Sequence, residues 1–237
     1  VTTDIEHWES QAGNWIEWAR RPGFDAYWYY RASFFEILPP PDGLTVEVGC
    51  GEGRLTRDLA ERGYEITGVE PVSALLRAAR EAHPDGTYVQ ATATDLPFED
   101  GSVRLLVAYN SLMDIDDVDG ALQEFARVLG PGGRLCVTIT HPMADGVRYD
   151  REDVAAPFHL AGSYLAVAPF DDVAERGGLR MHFAGWHRPL ALYSKAIEGA
   201  GLLIEAIREP EPVDDAGPKW DRWRRLPMFM GLRCLKI

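Results

Sequence analysis

Cysteine is scarce, and basic residues are outnumbered. The three cysteines, Cys50, Cys136 and Cys234, stand far apart in 237 residues and form no CxxC pair. That excludes a disulfide framework and a cysteine-based zinc site, so no metal is expected, and it fits a reducing cytoplasm. Lys and Arg number 24 against 37 Asp and Glu, a net charge of -13. Such a balance argues against nucleic acid, whose binding relies on cations neutralising phosphates. One basic stretch exists, Lys219 to Arg225, with Trp220 and Trp223 among Arg222, Arg224 and Arg225. It reads as a solvated rim whose Trp side chains pack inward rather than as a phosphate patch. Long apolar runs are also missing: nowhere do about 18 such residues stand together, so no membrane span is expected. Val1 to Gln11 carries Asp4, Glu6, His7 and Glu9 in place of a basic segment leading into an apolar one, which argues against a secretion signal.

What is present is an ordinary globular composition, 46% hydrophobic and 26% charged, in a chain long enough to bury one full core. The stretch up to Ile37 is rich in aromatics. Trp8, Trp15 and Trp18 recur at helical spacing, as do Trp28 with Phe35 and Arg31 with Phe34, which predicts two short helices separated near Pro22-Gly23. Strands and helices then alternate. Leu44 to Val48, Glu65 to Val69, Thr87 to Gln90, Leu105 to Tyr109 and Arg134 to Thr140 read as strands. Arg54 to Arg62, Ser73 to about Ala82 with Ser73 as cap, and Val118 to Leu129 read as helices. This alternation implies a parallel sheet with helices on both faces.

Past Thr140 the rhythm breaks, and His141 to Leu179 reads as an insertion that covers a pocket. A strand at Leu179 to Phe183, a helix at Pro189 to Gly199, a strand at Leu202 to Arg208 and a final strand at Met228 to Ile237, antiparallel to its predecessor, complete the pattern. The expectation is one domain: an N-terminal helical lid over 1–38, a core over 44–141, a substrate cap over 142–180 and completion of the sheet over 181–237.

The most informative segment is Val46-Glu47-Val48-Gly49-Cys50-Gly51-Glu52-Gly53-Arg54. Glycine at every second position lets the backbone turn sharply and approach a ligand where a Cβ would intrude. A dinucleotide loop reads GxGxxG, with its last glycine packing the helix. Here Arg54 holds that place and Gly53 comes one residue early.

A strand ending in an acid before GxGxG resembles the first motif of the class I S-adenosylmethionine-dependent methyltransferases, of the bacterial small-molecule type with a methyltransferase-11-like domain. The resemblance implies that Glu47 lies beneath the loop and that Gly49, Gly51 and Gly53 support the methionine part of S-adenosyl-L-methionine. A glycine turn that holds no ligand is the plainer alternative. Glu70, in Thr67-Gly68-Val69-Glu70-Pro71, is placed to accept from both ribose hydroxyls, with Pro71 beside it. Ala91 to Phe98 looks like the family's GDAxxLPF segment beside adenine, with Thr92 in place of the usual aspartate. Adenine then rests on Thr92, on the Ala93 backbone or on Asp95. Asn110 and Ser111, after the fourth strand, fall where the family places residues against the methionine moiety. The Gly130-Pro131-Gly132-Gly133 turn has a structural reading only, with glycine supplying positive φ.

The fold implied is a Rossmann-like doubly wound α/β sheet, mostly parallel with an antiparallel C-terminal strand, with helices on both faces and the N-terminal lid. Aromatic faces suit a cationic sulfonium, which makes Trp15 and Trp18 candidates toward the donor and Tyr27 and Tyr29 toward the acceptor. His141, after the fifth strand at the carboxyl edge, is the first choice of general base; a satisfied structural histidine is the alternative. Asp114 and Asp116 are placed to meet an amine, with His182 and His187 weaker. The expected activity is methyl transfer to O, N or C of a small-molecule acceptor, with neither nucleic acid nor membrane as partner and a homodimer left open. The rivals are an NAD-dependent oxidoreductase and a non-catalytic module that binds the same cofactor.

Overall fold

The computed structural model describes residues 4–237. Residues 1–3 of the expected lid lie outside the described residues. In chain order the elements are α1 (Asp4–Arg20), α2 (Tyr27–Ile37), β1 (Thr45–Val48), α3 (Arg54–Glu61), β2 (Ile66–Val69), α4 (Ser73–Ala82), β3 (Thr87–Val89), β4 (Val103–Tyr109), α5 (Val118–Val128), β5 (Leu129–Thr140), α6 (Pro142–Asp145), β6 (Val147–Arg148), β7 (His159–Leu160), β8 (Ala168–Arg176), β9 (Leu179–His187), α7 (Leu190–Gly199), β10 (Leu202–Arg208) and β11 (Phe229–Lys236).

Seven strands form one sheet in the order β10-β11-β5-β4-β1-β2-β3. The pairs β1–β2, β1–β4, β2–β3 and β4–β5 are parallel. The last strand, β11, inserts between β10 and β5 and runs antiparallel to both. Alternation along β4 divides the core: Leu106 and Ala108 pack with Phe125 of α5 and Ile197 of α7, and Leu105 and Val107 with Phe34 of α2 and Leu59 of α3. Burying each such Leu or Phe stabilises the fold by roughly 1.5–3 kcal/mol. Chain order reverses between β1 and β4, and their carboxyl ends open the crevice in which open α/β sheets hold ligands.

Three readings need correction. Val72, not Ser73, precedes α4, and the Ser73 hydroxyl instead accepts from Gln90 Nε2 at 2.8 Å. The segment read as irregular contains β8, which pairs with β9 from Ala168↔His187 to Arg176↔Leu179. Leu179 to His187 therefore belongs to a separate two-stranded ribbon, not to the main sheet. In the basic stretch Trp220 packs inward as expected, but Arg222 is buried too, donating to the carbonyls of Asp150 and Arg151 at 3.2 and 2.9 Å.

Candidate active site

The turn after β1 is built by left-handed backbone. Gly49, Gly51 and Gly53 have φ of 74°, 58° and 80°, a region L side chains enter only under strain. Close packing adds to this. A Cβ on Gly49 would stand 2.5 Å from Ser111 Cβ, and one on Gly51 would stand 3.1 Å from Trp15 Nε1. Gly53 differs: its missing Cβ makes room for Ala79 and the Tyr88 hydroxyl, and it caps the start of α3. Gly53 has a packing role and is not among the residues that line the cavity.

Two acids brace the turn. Glu70 accepts from Gly51 N at 2.9 Å and from Val72 N at 3.0 Å, so one carboxylate joins the glycine turn to the start of α4. Burial lifts it to about 7 against the pull of those two amides. Each oxygen keeps a further lone pair. Glu47 lies beneath, buried, accepting from the Thr56 hydroxyl. Burial first and the neighbouring Glu70 charge next push it to about 8, with Thr56 opposing. The Ser111 hydroxyl donates to Val48 O at 2.7 Å, which fixes the loop after β4 against β1.

One cavity of about 720 Å³ runs from this turn to the cap. At the turn it is lined by Glu47, Gly49, Gly51, Glu70, Pro71, Thr92, Ala93, Asn110 and Ser111, all of them expected there. Asp95 is exposed and does not line it, whereas the neighbouring Thr94 does. Asn110 is the one non-glycine residue with positive φ, 52°, among the described residues. Its N–H donates to Thr138 O at 2.8 Å, and its Oδ1 is buried without a hydrogen-bond partner. Trp18 Nε1 and the Tyr109 hydroxyl, also on the wall, are likewise unpartnered. Buried polar atoms left open toward a cavity are what a polar ligand satisfies. Glycines that leave space, an acid with free lone pairs and an orphaned amide oxygen fit a nucleoside carrying an amino-acid tail.

The lid supplies Trp15 and Trp18, whose rings meet Phe183 of β9 edge-on at 6.3 and 6.2 Å. Tyr27 lines the cavity, but its hydroxyl donates to Asp58, so it offers a ring only. Tyr29 does not line it. On a helix that buries Tyr27, Tyr30, Phe34 and Ile37, Tyr29 falls on another face and packs on Trp220 at 4.4 Å, which corrects its assignment to the acceptor.

His141 is corrected as well. Its ring is buried outside the cavity, and both nitrogens are committed. Nδ1 accepts from Met143 N at 3.1 Å, capping α6, which leaves Nε2 to donate to Glu209 at 3.0 Å. A base with no free lone pair and no access to the acceptor takes no proton from it. His187 Nε2 donates to Tyr164 O at 2.9 Å, and His182 Nε2 meets Asp171. Asp114 does line the cavity, and so does Asp145, which the sequence reading passed over. Among the described residues no group of three or more His, Cys, Asp or Glu is placed to hold a metal.

A parallel sheet with an inserted antiparallel β11, and a glycine turn braced by an acid on the next strand, define a Rossmann-like α/β domain with a ligand crevice at the carboxyl ends of its strands. A family model described as a methyltransferase domain matches residues 46–137. An uncharacterized methyltransferase of Mycobacterium sp. (strain JLS) is 33% identical over 183 residues, covering 67% of this chain and 72% of that protein. One of Mycobacterium tuberculosis (strain H37Rv) is 35% identical over 99 residues, 42% of this chain, and the match spans only 40% of that relative's length. The fold matches the crystal structure of an S-adenosylmethionine-dependent methyltransferase from Mesorhizobium loti at a TM-score of 0.72 and 24% identity, over 89% of this chain and 98% of that one. The chain belongs to the class I S-adenosylmethionine-dependent methyltransferases. No described helix is long and apolar enough to cross a membrane.

Proposed function

We propose that the chain moves the methyl group of S-adenosylmethionine onto a small-molecule acceptor, a specialised metabolite, by direct displacement. The single observation that carries this reading is the continuous cavity of about 720 Å³ between the glycine turn and the cap. Its volume falls within the 300–1,000 Å³ typical of sites that hold small ligands.

Gly49 and Gly51 let the backbone approach the amino-acid tail, and Asn110 Oδ1 is open to its ammonium. Glu70 accepts from the ribose hydroxyls with its remaining lone pairs, and Thr92 and Ala93 border the base. When bound, the donor supplies an activated methyl on a good leaving group. The chain has only to align a nucleophile behind that carbon and exclude water, which lowers such a barrier by about 7 to 11 kcal/mol. Trp15, Trp18 and Phe183 close the lid over that space. Asp4 of α1, the ribbon and the loop after β4 meet at the acceptor end.

Incubation with methyl-labelled donor and a panel of small amines, phenols and carbon acids tests this reading. Labelled low-mass product together with S-adenosylhomocysteine is expected. Binding of donor with no turnover on any small acceptor, or label found only in protein or RNA, contradicts it.

A further inference from the structure

Two carboxyls in the cap-side wall lack a bonded cation. Asp114 follows β4, Asp145 ends α6, and both line the cavity. Asp145 Oδ1 is fully buried and has no hydrogen-bond partner. Burial alone lifts this carboxyl to about 7. Asp114 is held well above the usual carboxylate range by burial, with the neighbouring Trp8 side chain and Arg188 opposing and the charges of Asp4 and Asp145 adding.

The groups facing the pair from the surrounding elements are Asp4 and Trp8 of α1, Arg188 after the ribbon and Tyr193 of α7. Arg188 is the sole cation among them. Its guanidinium donates to the carbonyls of Met113, Ile115 and Asp116 at 3.4, 2.6 and 3.0 Å, not to either carboxylate. One arginine against two partly buried acids leaves the ionised wall negative, and charge withdrawn from water is stable only when paired. Trp8 and Trp186, the latter donating to Asp116 Oδ1 at 2.8 Å, put apolar rings beside the acids.

We infer that this wall recognises an ammonium group: the methyl acceptor is an amine with an apolar body, its nitrogen held by Asp145 and Asp114 and its body against Trp8 and Trp186. Asp145 takes one proton from the ammonium. The freed nitrogen lone pair forms the N–C bond as the C–S bond of the donor breaks, and sulfur keeps the bonding pair as a neutral thioether. This assignment rests on the methyl-transfer reading above and names its substrate class.

The test is calorimetric binding of phenethylammonium to protein saturated with S-adenosylhomocysteine, with phenylpropanol and phenylacetate as neutral and anionic comparators. Phenethylammonium is expected to bind about tenfold or more tightly than either comparator, the magnitude of a charge-assisted hydrogen bond. Asp145→Asn and Asp114→Asn should each remove about that factor while leaving S-adenosylhomocysteine affinity within about twofold of wild type, which also certifies folding. Affinity for the ammonium should rise between about pH 6 and 8 in the wild type and rise less in Asp145→Asn, where Asp114 alone still titrates. No saturable ammonium binding, preference for phenylacetate, or an unchanged affinity in Asp145→Asn overturns the assignment. Wild-type protein that fails to bind S-adenosylhomocysteine strikes the donor reading instead.

Discussion

Arg54, the first residue of α3, donates from Nη2 to Asp25 Oδ2 at 2.6 Å and from Nη1 to Ala19 O at 2.8 Å, so the glycine turn and the lid are clasped together. The guanidinium also lies 3.9 Å from the centre of the Tyr27 ring. Removing one partner of a largely buried ion pair strands the other charge, which costs up to about 3 kcal/mol. Arg54→Ala should lower stability in urea melts by that order and weaken S-adenosylhomocysteine binding in parallel, because Trp15 and Trp18 lose their anchorage.

Glycine substitutions separate strain from site geometry. Gly49→Ala forces a Cβ to 2.5 Å from Ser111 Cβ, whereas at Gly63, φ 86°, no atom lies within 4 Å. Gly63→Ala should cost only the left-handed strain of about 1–2 kcal/mol and leave ligand affinity within about twofold. Gly49→Ala should weaken S-adenosylhomocysteine binding by about tenfold or more, since the turn must move. Calorimetry on the two variants checks the contrast.

His141→Ala removes a helix cap, not a base. The expected outcome is a stability loss of about 1 kcal/mol with kcat/KM unchanged within about threefold and no change in the shape of its pH profile. Initial-rate assays on the best acceptor of the panel measure this.

The buried carboxyls set opposite pH trends for folding and for binding. Glu70, Glu47 and Asp145 rise from 4.5, 4.5 and 3.8 to about 7, 8 and 7 in the fold. The folded chain therefore binds more protons than the unfolded chain between those limits. Ligand-free stability falls as pH rises from about 4 toward 8, by up to roughly 1.4 kcal/mol per pH unit per group. Ribose hydroxyls donate to the ionised form of Glu70, so S-adenosylhomocysteine affinity should increase by about tenfold from pH 6 to 8. Glu70→Gln should abolish that slope. Melts and calorimetry across this range read both trends.

The core was legible because its signals are redundant. β1 ends in an acid and alternating glycines, β4 carries the apolar run Leu105 to Ala108, and the helices between the strands have a clean period. The ribbon was hidden because β8, Ala-Pro-Phe-Asp-Asp-Val-Ala-Glu-Arg, is half-exposed along most of its length and so carries no alternation. At the site, chain position located the residues but not the direction of their side chains. His141 stands at the carboxyl edge as expected, yet its ring turns back to cap α6. Tyr29 belongs to the aromatic lid, yet the helical period sends it toward Trp220. Asp145 gave no signal, because an acid in an aperiodic segment is indistinguishable from a solvated one until burial is known.

Titration calorimetry of purified protein with S-adenosylhomocysteine, on wild type and Glu70→Ala, bears most directly on the donor site. One saturable site of micromolar affinity or tighter is expected in the wild type, weakened by about a hundredfold in Glu70→Ala through loss of two charge-assisted hydrogen bonds. An absence of binding by the wild type, or equal affinity in the two proteins, would contradict the assignment of the glycine turn and Glu70 to the donor.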